Sequence, residues 1–159
     1  MSKLKCGLIQ MGLKGEVSMG PEKIRDKMIE AHLPLIDKAG AAGVQVLCFQ
    51  EIFTQPYFCP SQDRKWYAAA EAVPDGYTTK LMQEYAKKYR MVMVVPVYEE
   101  AMAGVYYNTA AVIDADGSYL GKYRKNHIPH TAGFWEKFFF KPGASEFPVF
   151  KTRYCRLGV

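Results

Sequence analysis

Apolar residues along the chain form two kinds of pattern, short continuous runs and longer segments with helical spacing. Short apolar runs bounded by turn residues are typical of buried strands, and they occupy 4–11, 44–49 and 91–97. From Pro21 to Gly40, apolar side chains recur every three or four residues, which predicts an amphipathic helix with proline at its first position. Pro34 falls inside this segment, where we expect it to kink the helix. The segment 78–90 predicts a second helix of the same kind.

The second half of the chain carries a pattern of short strands separated by turns and loops. Predicted strands lie at 105–113, 118–125, 147–150 and 154–159. The first two are joined through Asp116 and Gly117, a dipeptide that favours a hairpin. Aromatic-rich loops are predicted at 52–73 and 127–143. The order of elements predicts an α/β fold whose first half contains parallel strands joined by right-handed crossovers.

Composition and charge exclude several classes of protein. The 159 residues are 49% hydrophobic and 23% charged, which suits a folded domain with a core and not a disordered chain. No apolar run approaches the roughly 20 residues of a membrane-spanning helix, so we expect no membrane as a partner. The net charge of +5 is mild, and basic residues alternate with acidic ones except at 122–125. Charge therefore does not indicate a nucleic-acid partner.

Cysteine spacing and the N-terminal sequence bear on the compartment. The four cysteines are Cys6, Cys48, Cys59 and Cys155, and no pair has the spacing of a zinc site. The N-terminal segment lacks the long apolar stretch of a signal peptide. Free cysteines without an export signal favour a reducing, cytoplasmic setting, with a disulfide framework as the alternative.

Three ionisable residues stand where open α/β sheets present functional groups. Glu51 follows one predicted strand, Lys125 ends another, and Glu136 lies in the aromatic loop that comes next. A carboxylate held near an ammonium could act as a general base, and the lysine could donate to a developing oxyanion. Solvated strand ends or ordinary ion pairs explain the same residue types. The spacing alone leaves both interpretations open.

Several motifs in a fixed order resemble the nitrilase, or carbon–nitrogen hydrolase, superfamily. They lie at 49–53, 121–129 and 133–137, and the similarity extends through 108–110 and 141–143. Within the superfamily they are most similar to the N-carbamoyl amidohydrolase branch, which contains β-ureidopropionases and N-carbamoylputrescine amidases. The similarity covers essentially the whole chain.

The resemblance implies a four-layer αββα sandwich and a Glu–Lys–Cys triad. By motif position, Glu51 matches the general base, Lys125 matches the lysine that stabilises the tetrahedral intermediate, and Glu136 matches an accessory glutamate beside the nucleophile. The implied reaction is attack by a thiolate on an amide or ureido carbon, with release of ammonia. An N-carbamoyl substrate would give an amine, CO2 and ammonia. The resemblance implies no metal and no organic cofactor.

The nucleophilic cysteine is the family feature that this sequence does not supply. In the family it follows the strand predicted at 154–159, so the resemblance places it beyond Val159. Cys155 and Cys59 match no nucleophile motif and remain the alternatives. We interpret residues 1–159 as the N-terminal portion of a single carbon–nitrogen hydrolase domain that is inactive alone. One face of its sheet should then be exposed and prone to association. A non-catalytic binding module and a split enzyme completed by a partner chain are the competing hypotheses.

Substrate binding is predicted for four polar or aromatic side chains. These are Tyr57, Asn108, His130 and Trp135. A basic residue at His130 suits the carboxylate of N-carbamoyl-β-alanine, which makes this small molecule the favoured substrate. The motif around Trp135 also resembles N-carbamoylputrescine amidases, whose substrate ends in an ammonium, so that substrate is the alternative. The resemblance further implies a homo-oligomer for the complete enzyme.

Overall fold

A mixed five-stranded sheet is the centre of the computed structural model, which describes residues 3–144 and 147–159. Its strands lie side by side in chain order: β1 (Cys6–Ile9), β2 (Val46–Phe49), β3 (Val92–Met102), β4 (Val105–Ile113) and β5 (Tyr119–Arg124). β1, β2 and β3 pair in parallel, whereas β3, β4 and β5 pair antiparallel. The prediction of a parallel first half is therefore confirmed, with strands that begin or end a few residues from the predicted limits.

Two helices connect the parallel strands, as the apolar spacing predicted. Helix α1 (Pro21–Ala41) begins with proline at its first turn, where the missing N–H leaves no intrahelical bond unmade. It continues through Pro34 to Ala41. Helix α2 (Tyr77–Tyr89) ends where Arg90 adopts a left-handed backbone conformation with φ of 52°. Both helices pack on the same face of the sheet, where they bury the main core cluster.

The opposite face of the sheet is covered unevenly. Strands β6 (Val149–Lys151) and β7 (Arg156–Gly158) form an antiparallel hairpin. Residues of this hairpin and its turn, including Leu157, pack against Val46 and Val92 of the sheet. At the edge strand, Leu8 is 84% exposed, whereas Val94 and Val112 are buried. The expected exposure of this face is thus found at β1 and not at the centre of the sheet.

The helices and the five-stranded sheet correspond to one helical layer and one sheet layer of the predicted sandwich. The aromatic loops at 52–73 and 127–143 contain short 3-10 helices at Arg64–Ala69 and Glu136–Phe138 and otherwise little regular structure. Within the described ranges, no helix has both the length and the apolar character needed to cross a bilayer.

A histidine of helix α1, His32, is fully buried against the end of β2 and the loop that follows it. Nδ1 of His32 is 2.7 Å from the Met28 carbonyl oxygen, and its ring contacts Phe49 and Phe53 edge-on. Nε2 finds no hydrogen-bond partner among the described residues. Burial lowers the pKa of His32, and the hydrogen bond to Met28 opposes that shift only in part. The neutral imidazole is therefore the form that the folded core accepts.

We expect stability to fall as the pH drops below about 6.5, the ordinary pKa of histidine. In that range His32 takes up a proton in the unfolded chain but resists it in the folded protein. The free energy of unfolding therefore falls by up to about 1.4 kcal/mol for each pH unit. Urea unfolding between pH 5 and pH 7.5 measures this slope. His32→Leu should flatten it, whereas replacement of the exposed His127 by Gln should leave it unchanged. An equal slope in wild type and His32→Leu would contradict the assignment.

Candidate active site

One lysine lies between two carboxylates at the edge of the sheet. Glu51 directly follows Gln50 at the end of β2, Lys125 directly follows β5, and Glu136 begins a short 3-10 helix. Lys125 Nζ is 3.1 Å from Glu51 Oε1 and 2.9 Å from Glu136 Oε2. β3 is parallel to β2, β4 runs the opposite way, and β5 again runs in the direction of β2. The carboxyl ends of β2 and β5 therefore lie on the same side of the sheet. The sheet topology thus brings together all three residues that the motifs singled out.

The backbone on either side of Lys125 is fixed by hydrogen bonds. Its N–H donates to the Asn108 carbonyl oxygen over 2.9 Å, and its carbonyl oxygen accepts from the N–H of Gly143, also over 2.9 Å. A Cβ at Gly143 would clash with the Arg124 carbonyl oxygen, so this close approach requires glycine. The end of β5 is held from both sides, which places the lysine side chain.

A strained turn follows Glu51. Ile52 has a φ of 43°, a left-handed conformation that is unfavourable for a β-branched residue. Such an outlier costs about 1–3 kcal/mol and persists only where the surroundings enforce it. Here the side chain of Ile52 is buried in the aromatic cluster of the loop. Packing of the loop around Ile52 therefore fixes the backbone next to Glu51, and with it the place where the Glu51 side chain begins.

The two carboxylates have different surroundings. The side chain of Glu136 is 5% exposed, and it accepts from the Tyr57 hydroxyl on Oε1 over 3.1 Å and from Lys125 on Oε2. The side chain of Glu51 is 55% exposed, and the Asn108 amide donates to its Oε1 over 2.6 Å. Oε2 of Glu51 has no hydrogen-bond donor in the described structure. One carboxylate is fully engaged and the other keeps an oxygen accessible.

The charge of Lys125 is maintained by its two acidic neighbours. Burial opposes the ammonium, but the hydrogen bond to Glu136 and the charge of Glu51 outweigh it and raise the pKa of Lys125 above its ordinary value. The lysine is therefore a cation at neutral pH. Two of its three N–H groups are used by the carboxylates, which leaves one for a further acceptor.

A cavity of about 320 Å³ opens beside Glu51. Its lining combines amide side chains with apolar and aromatic ones: Gln10, Met11, Gln50, Glu51, Ile52, Gln55, Pro56, Tyr57, Phe58, Cys59, Asn108 and Phe140. The sequence analysis missed Gln10 and Gln50. Gln50 follows a predicted strand, the same signal that identified Glu51, whereas Gln10 lay inside the strand predicted at 4–11 and follows β1 only in the structure. This lining contains one carboxylate and no lysine, arginine or histidine, which favours neutral or cationic ligand groups.

The thiol at this cavity is unsuited to act as a nucleophile. Cys59 is buried, and burial together with the charges of Glu136 and Glu51 raises the pKa of its thiol to about 12. A thiolate is the reactive form, so Cys59 is inert at neutral pH. Cys155 lies at the turn of the β6–β7 hairpin, where it contacts Thr152. All four cysteines are free.

The predicted substrate-binding residues divide into two pairs. Tyr57 and Asn108 reach the carboxylates directly. His130 is exposed, and its ring packs on Trp135 with centroids 5.1 Å apart. Trp135 directly precedes Glu136 in the chain. No side-chain hydrogen bond or ring contact in the described ranges links His130 or Trp135 to Glu51, Lys125 or Glu136. The structure therefore brings two of the four predicted residues to the site. Within those ranges no group of His, Cys, Asp and Glu side chains could hold a metal ion.

The basic run at 122–125 is neutralised within the chain. Glu99 is fully buried on the helix side of the sheet, where it accepts from Lys122, from Arg124 over 2.6 and 2.9 Å, and from Thr109 over 2.6 Å. Burial opposes the charge of Glu99, but the bonds from Arg124 and Lys122 outweigh it and lower the pKa of Glu99. Sequence analysis missed this cluster because the predicted strand ended at 97, whereas β3 continues to Met102 and includes Glu99.

A sequence profile of the carbon–nitrogen hydrolase family matches residues 8–159. The chain belongs to this family. The match supports the predicted superfamily and α/β fold, and it covers the strand ends that carry Glu51 and Lys125.

Curated relatives and a solved structure place the chain more closely. It is 44% identical to β-ureidopropionase from Arabidopsis thaliana over 79% of this chain and 31% of the relative. It is 41% identical to N-carbamoylputrescine amidase from Solanum lycopersicum over 79% of this chain and 41% of the relative. The crystal structure of a carbon–nitrogen hydrolase from Helicobacter pylori G27 superimposes with a TM-score of 0.83 at 31% identity, over 98% of this chain and 50% of that one. The chain spans half or less of the length of these proteins.

We expect Glu99→Gln to destabilise the protein by about 3 kcal/mol. The change leaves the partly buried cations Lys122 and Arg124 without the carboxylate that neutralises them. Asp75→Asn is the matched control, since Asp75 forms an ion pair of 2.9 Å with Lys80 that is largely exposed. Chemical denaturation measures both. A Glu99→Gln variant as stable as the Asp75→Asn control would contradict a stabilising role for the buried cluster.

We expect iodoacetamide at pH 8 to modify the exposed Cys6 and to leave Cys59 unmodified in the native protein. Mass spectrometry of the digested protein distinguishes the two peptides. Alkylation in urea, where both thiols are accessible, is the control for peptide detection. Native Cys59 reacting as fast as Cys6 would show that its thiol is exposed or ionised.

Proposed function

We propose that this chain supplies the general base, the oxyanion-stabilising lysine and the accessory carboxylate of a hydrolase that cleaves the non-peptide carbon–nitrogen bond of an N-carbamoyl compound. The observation that carries this proposal is the single ammonium of Lys125 shared by Glu51 and Glu136. Membership of the carbon–nitrogen hydrolase family supports the reaction class.

The proposed reaction assigns each group a step. The free oxygen of Glu51 takes the proton of a cysteine thiol, and the thiolate attacks the ureido carbon. The unused N–H of Lys125 donates to the oxygen that becomes negative. Glu51 returns this proton to the departing amino group, and ammonia leaves. Water then hydrolyses the S-carbamoyl (thiocarbamate) intermediate, and the resulting carbamate releases CO2 and the amine. Because Cys59 is buried and neutral, and because the motif position of the family's nucleophile lies after the strand predicted at 154–159, we assign the nucleophile to a cysteine outside residues 1–159.

The substrate proposal concerns the group at the far end of the molecule. The relatives named β-ureidopropionase and N-carbamoylputrescine amidase support an N-carbamoyl substrate. The basic character of His130 supports N-carbamoyl-β-alanine. The cavity beside Glu51, whose lining includes a carboxylate and no cationic side chain, favours N-carbamoylputrescine as the second candidate. Both substrates present the same ureido group to Lys125.

We further propose a homo-oligomeric complete enzyme in a reducing, cytoplasmic compartment, with a small molecule as its partner and neither nucleic acid nor membrane. Four free cysteines support the compartment. The internal neutralisation of Lys122 and Arg124 by Glu99 supports the absence of a nucleic-acid surface there. A binding module without turnover and a split enzyme completed in trans remain the competing hypotheses.

We expect the chain extended by its following reading frame to release ammonia from N-carbamoyl-β-alanine or N-carbamoylputrescine, and the 159-residue chain alone to release none. Glu51→Gln and Lys125→Met should each lower kcat/KM by about 10²–10⁴-fold, because each removes a group that acts in the transition state. Lys87→Met, on helix α2, is the control that removes an exposed lysine charge outside the site.

Three outcomes decide between the hypotheses. Activity only in the extended protein, lost in both site variants, supports the proposal and selects the substrate. Activity in the 159-residue chain would place the nucleophile among its own cysteines. Ligand binding without turnover by the extended protein would favour the binding module.

A further inference from the structure

We propose that Tyr57 and Asn108 are positioning residues that hold the two carboxylates in unequal ways, so that Glu136 anchors Lys125 while Glu51 keeps one oxygen for proton transfer. This inference rests on the proposed function. It replaces the expectation that both side chains bind substrate with a role defined by their contacts.

Both oxygens of Glu136 already accept a hydrogen bond, and the side chain is only 5% exposed, which disfavours it for proton transfer. Lys125 Nζ donates to its Oε2 over 2.9 Å and the Tyr57 hydroxyl donates to its Oε1 over 3.1 Å. Burial, reinforced by the hydrogen bond to Glu136, raises the pKa of Tyr57, so its hydroxyl stays protonated and remains a donor. Because Tyr57 comes from the loop after β2 and Glu136 from the loop after β5, this bond joins the two loops across the site.

Glu51 is held through a single oxygen. Asn108 Nδ2 and Lys125 Nζ both donate to Oε1, over 2.6 Å and 3.1 Å. A carboxylate only accepts hydrogen bonds, so the Asn108 amide must turn its N–H2 toward it. Both donors bind Oε1, so Oε2 has no hydrogen-bond donor among the described residues.

Asn108 couples the base to the lysine. Its side chain holds Glu51, and its backbone carbonyl oxygen accepts from the Lys125 N–H over 2.9 Å. The residue itself is buried on β4, opposite Tyr98 of β3. One residue of an interior strand, β4, therefore fixes the position of the Glu51 side chain relative to the backbone of Lys125.

The two side chains should fail in different ways when altered. Without the Tyr57 hydroxyl, Glu136 keeps only Lys125 as a donor and loses its tie to the other loop, so Lys125 is less well placed. With Asn108→Asp, a second carboxylate lies beside Glu51 and opposes its ionisation. The first change lowers the rate at all pH values, and the second moves the pH at which the base becomes active.

The test measures kcat, KM and the pH profile of kcat/KM in the active extended enzyme. We expect Tyr57→Phe to lower kcat about tenfold with KM within about twofold, and Asn108→Asp to move the acid limb upward by about one pH unit or more. Tyr67→Phe is the matched control, because the Tyr67 hydroxyl donates to a backbone carbonyl, that of Phe138, over 2.8 Å and not to a carboxylate. Asn108→Ser, too short to reach Glu51 but uncharged, should lower kcat and move the acid limb upward by less than Asn108→Asp does, because it removes a donor without adding a negative charge.

The outcomes separate this inference from the function on which it rests. If the wild-type enzyme is active and Tyr57→Phe and both Asn108 variants keep the same kcat and the same acid limb, the positioning role is wrong. The proposed function is unaffected by that result. A kcat loss in Tyr67→Phe equal to that in Tyr57→Phe, or a large rise in KM with kcat unchanged in Tyr57→Phe, also overturns the positioning role. A wild-type enzyme that hydrolyses no N-carbamoyl compound overturns both.

Discussion

The ammonium of Lys125 is the charge on which the rest of the site depends. Glu51 and Glu136 bring two negative charges to one small region, where like charges repel each other. A single cation within 2.9–3.1 Å of both offsets the repulsion. The features around it, including the glycine at 143 and the hydrogen bond to Asn108, serve to hold the end of β5 where this cation meets both carboxylates.

A run of basic residues is divided between the two faces of the sheet. Side chains alternate along a strand, so Lys122 and Arg124 face the helices and neutralise the buried Glu99, while Lys125 turns to the site. The cation–π contact of Arg124 with Tyr107, 3.8 Å from the ring centroid, fixes the same strand further. The buried cluster thus anchors the strand whose end carries the lysine, and neighbouring residues serve the core and the site separately.

The sequence predicts elements and strand ends better than it predicts contacts. Apolar runs indicated β1, β2, β3 and both helices, and the position after a strand indicated Glu51 and Lys125. Glu136 lies in a loop with no periodic pattern, so only its motif identified it. The bond from Tyr57 to Glu136 joins residues 79 positions apart, and no local pattern encodes it. His130 is expected at the site from its position in the family motif and its basic character, and in the structure its ring packs on Trp135. That contact depends on local loop packing, which no sequence pattern encodes.

The different surroundings of the two carboxylates show how one chemical group can take two roles. Full burial with both oxygens bonded makes Glu136 a fixed counter-charge, and partial exposure with one oxygen bonded leaves Glu51 able to exchange a proton. The nearby thiol of Cys59 is unreactive for a related reason, since its burial and the negative charges of the two carboxylates keep it protonated. In the proposed reaction, the thiol would approach the open oxygen of Glu51 and the third N–H of Lys125 from the exposed side. The proposed base, cation and anchor would then act on a group supplied from outside this layer of the fold.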